Sequence, residues 1–266
     1  MPAYCVVCHA RSEYIFMHKF FVNESCIDGN LVNIQGDDVK HIYKVLRLKC
    51  TDKININNCK GQEFLAQIKD ISKTNVLCEI IEKIYVNNES PIKIHLYQGL
   101  PKAAKMDFVI QKATELGVAS ITPVITERVI IKNELKEYKK MDRWNKIALE
   151  ACKQSKRTII PKVNEPVEFA VLLKETTDYD LIVVPYENKE DFGIKAMAMN
   201  LKGKEVNSVA IVIGPEGGFE EEEIEKLSNI GAQIVTLGSR ILRTETAGLV
   251  CASLILYELG DIGGKI

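Results

Sequence analysis

The sequence predicts an α/β protein, a largely parallel sheet covered by helices on both faces, preceded by a small β-barrel-like domain. Three observations carry this. From Ile92 onward short apolar runs alternate with amphipathic segments, the rhythm of parallel strands joined by crossover helices. Before that point, short strand-like runs succeed one another across Asn-, Asp- and Gly-containing turns. The 266 residues are 46% hydrophobic and 27% charged, an ordinary globular balance that needs no disulfide or metal to hold a core.

Residues 1–16 look foreign to the rest of the chain. Cys5-Val-Val-Cys8-His9 has the spacing of a haem attachment site, but no basic stretch leads into an apolar one, so no export signal accompanies it. Zinc would need four ligands, and no second Cys pair is near. The segment reads as an N-terminal extension, with Met17 as a natural start. Residues 17–88 form the barrel-like domain. Its strands include Ile54–Ile56, Phe64–Ile68 and Val76–Ile81, and one helix, Asp37–Leu46, spaces Val39, Ile42, Tyr43 and Leu46 along one face. Val86–Pro91 is a polar, proline-ended linker.

In the second domain, 89–266, strands are expected at Ile92–Gln98, Ser120–Val124, Leu181–Val184, Val209–Ile213 and Gln233–Leu237. Helix Lys102–Leu116 buries Met106, Val109, Ile110 and Ala113; helix Lys139–Ser155 buries Trp144, Ile147, Ala148 and Ala151. Further helices are expected at Glu220–Asn229 and Thr244–Leu259. The apolar stretch Leu249–Tyr257 is far below the ~20 residues of a membrane span. Eight cysteines, mostly scattered singly, suit reduced thiols and a cytoplasmic protein.

The net charge of −1 hides a strong segregation: +2 over residues 1–131, +6 over 132–162 and −9 over 163–266. A local basic stripe can bind phosphates whatever the total, although a solvated lysine-rich helix face would look the same.

Ligands of open α/β sheets sit beyond the carboxyl ends of the strands. After Val209–Ile213 comes Gly214-Pro215-Glu216-Gly217-Gly218-Phe219, whose glycines allow tight turns and let a ligand approach bare backbone. It is neither a Walker loop nor a dinucleotide fingerprint, and Glu220–Glu223 would repel a phosphate. A ligand without phosphates fits better. After the next strand, Leu237-Gly238-Ser239-Arg240-Ile241-Leu242-Arg243-Thr244-Glu245-Thr246-Ala247-Gly248 places two arginines before a helix that Thr244 could cap and whose first turn Gly248 lets pack closely.

These two loops resemble the C-terminal signatures of the SPOUT methyltransferases. In detail the chain resembles the ribosomal small subunit methyltransferase E family, which methylates N3 of a uridine in 16S ribosomal RNA. The resemblance extends from Met17: Met17–Val22, His41–Leu48, Lys105-Met-Asp, Gln111–Gly117, Glu127-Arg128 and Lys146–Arg157 come in the family's order. Lys102-Ala103-Ala104-Lys105 lacks an expected Gly-Asp, and Cys50-Thr51-Asp52 an expected glycine. The resemblance implies a PUA-like barrel at 17–88 and a SPOUT trefoil-knot domain at 89–266. It implies S-adenosyl-L-methionine (SAM) as cofactor, no metal, a homodimer, and small-subunit ribosomal RNA as partner. The cofactor would be held by Val184, Pro185, Gly214, Pro215, Glu216, Gly217, Gly218, Leu237, Gly238, Ile241, Leu242, Arg243 and Thr244. Arg243 would stabilise negative charge on the uracil, with Glu245 orienting it or acting as base. Arg47, Lys105, Arg128, Lys146, Lys153, Lys156 and Arg157 would contact RNA phosphates. A SPOUT enzyme acting on another RNA such as tRNA, and a non-catalytic RNA-binding assembly factor, stand as alternatives.

Overall fold

The computed structural model describes residues 17–85, 88–102, 105–129 and 140–264. The extension 1–16, Val86 and Asn87 of the linker, Ala103 and Ala104, and Lys139, the expected start of the basic helix, lie outside these. The chain divides into two compact units between Asn88 and Glu89.

The N-terminal unit contains β1 (Lys19–Phe21), β2 (Ile27–Asp28), β3 (Leu31–Gln35), β4 (Lys53–Asn57), β5 (Glu63–Ile71) and β6 (Asn75–Ile84). They pair in the order β1-β4-β5-β6-β3-β2, antiparallel except for β1 with β4. Register shifts between β5 and β6 bend the sheet, giving a curled half-barrel. The expected helix is one turn of α1 (Asp37–Lys40) that widens into a π-turn at His41–Val45. Its Val39 and Ile42 are buried among Val32, Ile34, Ile54, Ile56 and Ile68.

The C-terminal unit has a fully parallel sheet of β7 (Lys93–Gly99), β8 (Ser120–Ile125), β9 (Lys162–Val163), β10 (Val167–Glu168), β11 (Leu181–Pro185), β12 (Ser208–Ile213) and β13 (Gln233–Val235). The order is β10-β8-β7-β12-β11-β13, with β9 also on β8. The helices are α2 (Lys105–Glu115), α3 (Met141–Gln154), α4 (Phe169–Glu175), α5 (Ile194–Asn200), α6 (Glu221–Asn229) and α7 (Thr244–Leu259). Strand residues alternate between faces. Val209, Ile211 and Ile213 of β12 join one core with α2, α3, α5 and α7, whereas Ala210 and Val212 join a second with α4 and α6. The sheet is therefore buried on both sides, which explains its near-continuous apolar runs. On α2 the four expected core residues are buried; on α3 Cys152 joins Trp144, Ala148 and Ala151, with Ile147 half-buried. No helix among the described residues is long and apolar enough to cross a membrane.

Candidate active site

The chain runs from β7 outward to β8, then returns to build β11, β12 and β13 on the other side of β7. The carboxyl ends of β7, β11, β12 and β13 and the start of α7 thus share one end of the sheet. Gly99 shows how tightly they meet: a Cβ there would lie 2.5 Å from Pro215 N and 2.8 Å from the Ile213 carbonyl.

The loop after β12 is clamped from several sides. Gly218 N–H donates to the Pro215 carbonyl at 3.0 Å, closing a turn that leaves Gly218 at φ +71°. Glu216 Oε1 accepts from the Lys102 amide and from Lys105 Nζ, both at 3.0 Å. Burial pushes the Glu216 carboxyl up, but the Lys102 amide and the Lys105 ammonium outweigh it and hold the group below its ordinary value. Arg128 grips Glu220 through two bonds of 2.6 and 2.8 Å and donates to the Gly217 carbonyl at 2.9 Å. The Arg128 guanidinium in turn holds the Glu220 carboxyl low. Glu220 and Glu223 form a reciprocal capping box at the start of α6. The acidic run is thus partly consumed locally. The reason for two glycines also changes. A Cβ on Gly217 would lie 3.0 Å from Arg128 Cβ, and one on Gly218 2.6 Å from Glu187 Oε1. The space a side chain at Gly217 would need is taken by Arg128.

On the other side of the site, Val184 is buried and Pro185 half-buried at the end of β11, level with Ile234 and Val235 of β13. Beyond β13, Leu237 packs on the core and Gly238 takes φ +115°. Arg240, Ile241 and Arg243 are exposed, with Leu242 half-buried between them. Arg243 precedes the first turn of α7, and its backbone carbonyl accepts from the amides of Thr246 and Ala247. Thr244 does not cap α7, because it is the first helical residue and its hydroxyl donates to the Gly214 carbonyl at 2.6 Å. That bond joins the two signature loops. Glu245 turns away from the expected partner Arg243 and sits 3.2 Å from Lys105 Nζ. Lys105 therefore bridges Glu216 and Glu245, and the two carboxylates raise its pKa, Glu216 first. Gly248 packs against Leu96, Ile213 and Gln98, the close approach its lack of a side chain suggests.

The basic residues separate into classes. Lys146 and Lys156 of the α3 region are exposed, and Lys153, half-buried, lies 3.3 Å from Glu150. Arg47 is exposed in the N-terminal unit at φ +54°. Arg157 is a correction. It is 4% exposed, and its guanidinium donates to the Thr114 and Val118 carbonyls at 3.1 and 2.8 Å and to Glu89 at 3.1 and 2.6 Å. A group so enclosed braces the fold and does not reach a phosphate. Gln98 and Glu187 were missed by sequence reasoning. Gln98 was detectable as a polar residue closing an apolar strand at the end where ligands bind.

Among described residues no phosphate cradle appears at this end. The loops offer glycine turns, backbone groups and the exposed carboxylate of Glu187, while Lys105 neutralises Glu216 and Glu245, a chemistry that fits SAM, a cation without phosphates.

Comparison with known proteins agrees with this geometry. Residues 88–256 match the RNA methyltransferase domain family and residues 34–81 the RNA methyltransferase PUA domain family. The chain is 38% identical over 251 residues to ribosomal RNA small subunit methyltransferase E of Bacillus subtilis, covering 91% of this chain and 97% of that one. It is 33% identical to the Aquifex aeolicus protein of the same name over 90% of this chain and 99% of the other. Among solved structures, ribosomal RNA small subunit methyltransferase E of Neisseria gonorrhoeae, bound to SAM, superposes with a TM-score of 0.79 at 32% identity, covering 92% and 99% of the two chains. The chain belongs to the ribosomal RNA small subunit methyltransferase E family.

Proposed function

We propose that this protein methylates N3 of a uridine in small-subunit ribosomal RNA, using SAM, in the cytoplasm. The observation that carries the reading is the joining of the two signature loops by the Thr244–Gly214 bond, within a chain that aligns over nearly its whole length with methyltransferases of that name. SAM, when bound, supplies an electrophilic methyl group with its own leaving group, so the chain's residues need only position and stabilise. Gly214–Gly218, Val184, Pro185 and the 237–244 loop would hold it, largely through backbone. Uridine N3 must lose its proton to solvent before it can attack, and the exposed Arg243 guanidinium stabilises the negative charge that spreads onto the uracil carbonyls. Holding the base against the methyl donor supplies much of the remaining acceleration. Glu245 Oε2 is shielded from solvent and set against Lys105, so it acts by fixing the first turn of α7 rather than by touching substrate. Arg47, Lys146, Lys153 and Lys156 contact RNA phosphates in this reading, and Arg128 and Lys105 brace the loop.

The 236–244 segment crosses back from β13 to seat α7 on β7 and β12, a path that suits a trefoil knot. α7 also suits a homodimer. It is apolar around its circumference, and beyond the residues it buries it leaves Tyr257 63% exposed, while Phe108 on the neighbouring α2 is 46% exposed. Titration calorimetry with S-adenosylhomocysteine, followed by methyl transfer to small-subunit RNA and to tRNA, tests the function. Binding with transfer to small-subunit RNA supports it. Transfer to tRNA alone would select the tRNA enzyme, and no binding to folded protein would select a non-catalytic RNA-binding factor.

A further inference from the structure

Gln98 lies on β7 next to Gly99 and is fully buried, yet the proposed mechanism makes no use of it. Its Nε2 donates to Thr244 Oγ1 at 2.7 Å and to the Gly99 carbonyl at 3.2 Å. Thr244 Oγ1 donates onward to the Gly214 carbonyl at 2.6 Å. A hydroxyl has one proton, and the carbonyl consumes it, so the amide must turn its NH2 toward Thr244. The cost is visible on the other side of the amide: Oε1 is buried without a hydrogen-bond partner, facing Gly248. A buried orphan is expensive, and an apolar side chain of the same volume would avoid it. An amide at this place therefore points to a need for the donor.

The chain of bonds joins three segments: the end of β7, the first residue of the loop after β12, and the first residue of α7. Thr244 stands between Arg243 and Glu245. We infer that Gln98 is a positioning residue for methyl transfer: through the Thr244 hydroxyl it locks the turn carrying Arg243 to the Gly214 loop. This rests on the proposed function and names how its two loops are held in register. Gln98 touches neither cofactor nor RNA in that role, so its removal should misplace Arg243 more than it weakens the cofactor loop.

The test compares Gln98→Met and Thr244→Val, both close in volume to the native residues, with the double variant and the wild type. Wild-type transfer to small-subunit RNA is the control on the proposed function, and its absence would overturn that reading before any variant is judged. With the control active, each single variant should lower kcat on the order of 10- to 100-fold, while the dissociation constant of Gln98→Met for S-adenosylhomocysteine moves less than about threefold. The double variant should be no worse than the weaker single one, because both break the same chain. Losses that multiply, or a fall in the kcat of Gln98→Met matched by an equal loss of its cofactor binding, would overturn the inference.

Gln98→Glu gives a second, independent readout. A carboxylate can only accept, so it competes with the Gly214 carbonyl for the Thr244 proton. Both proteins share the N3 deprotonation, so the ratio of this variant's rate to that of the wild type should rise as pH is lowered and the carboxyl regains a proton. A Gln98→Glu protein as active as the wild type at high pH, where the carboxyl is ionised, would equally overturn the inference.

Discussion

Replacing Arg157 with methionine should unfold the C-terminal unit more easily while leaving RNA affinity of the folded protein intact. The guanidinium makes two bonds to Glu89 and one each to the Thr114 and Val118 carbonyls. Arg157→Met leaves a half-buried carboxylate without its cation, although Thr158 and Ile159 amides still donate to Glu89 at 2.8 and 3.0 Å. Burial pushes the Glu89 carboxyl up, but the Arg157 guanidinium and those amides hold it below its ordinary value. The Thr114 carbonyl keeps the Gly117 amide at 3.1 Å, so that loss is softened. Breaking one side of a buried pair costs about 3–5 kcal/mol, equivalent to a fall in melting temperature of about 6–20 °C for a domain of this size. Thermal unfolding followed by circular dichroism reads this directly, with Lys156→Met as the exposed neighbour. Binding of small-subunit RNA at several salt concentrations supplies the second axis, since each lost phosphate contact lowers the slope by about 0.7–0.9. Lys156→Met should reduce the slope and keep the melting temperature. An Arg157→Met protein with native melting temperature and a reduced salt slope would refute the assignment of Arg157 as a brace.

Three further outcomes are expected. Arg128→Ala frees Glu220 and the Gly217 carbonyl together, so S-adenosylhomocysteine should bind on the order of tenfold more weakly by calorimetry; unchanged affinity would show that the loop holds itself. Gly218→Ala introduces a Cβ at φ +71°, 2.6 Å from Glu187 Oε1, and should weaken the same affinity more than Gly231→Ala, where no atom lies within 4 Å. Because the Glu216 carboxyl is held below its ordinary value, its contribution to loop order is full above the ordinary carboxylate range and lost as pH falls through the lowered value. Cofactor affinity should therefore drop in acid in the wild type, and Glu216→Gln should abolish that part of the pH dependence.

Much of the fold was legible because burial on both faces writes strands as plain apolar runs. β7, β8, β11 and β12 fall within a residue or two of the expected limits, and Met106, Val109, Ile110 and Ala113 mark α2 by spacing alone. β9 and β10 are two residues each and exist through pairing with β8, which no local pattern announces. α4 buries one residue of its seven, Leu172, and α5 two, Ile194 and Met197, too few for a periodic signal.

At the site, glycine turns and the order of the loops were readable; the direction of side chains was not. Lys156 and Arg157 look like one basic patch. Yet α3 ends in a Schellman turn, with Lys156 at φ +59° and the Arg157 amide on the Cys152 carbonyl at 3.1 Å. That reversal sends Arg157 inward while Lys156 stays exposed. Glu245 likewise comes directly after Thr244 and Arg243 in sequence, but its partner is Lys105, brought close by tertiary packing.

The most direct measurement is nucleoside mass analysis of small-subunit RNA after incubation with the purified protein and SAM carrying a labelled methyl group, in parallel with an Arg243→Ala protein that still binds S-adenosylhomocysteine. Label is predicted in 3-methyluridine with the wild type, with a loss of at least about 100-fold in rate for Arg243→Ala. Label in another nucleoside, or undiminished transfer by Arg243→Ala, would contradict the proposed reaction.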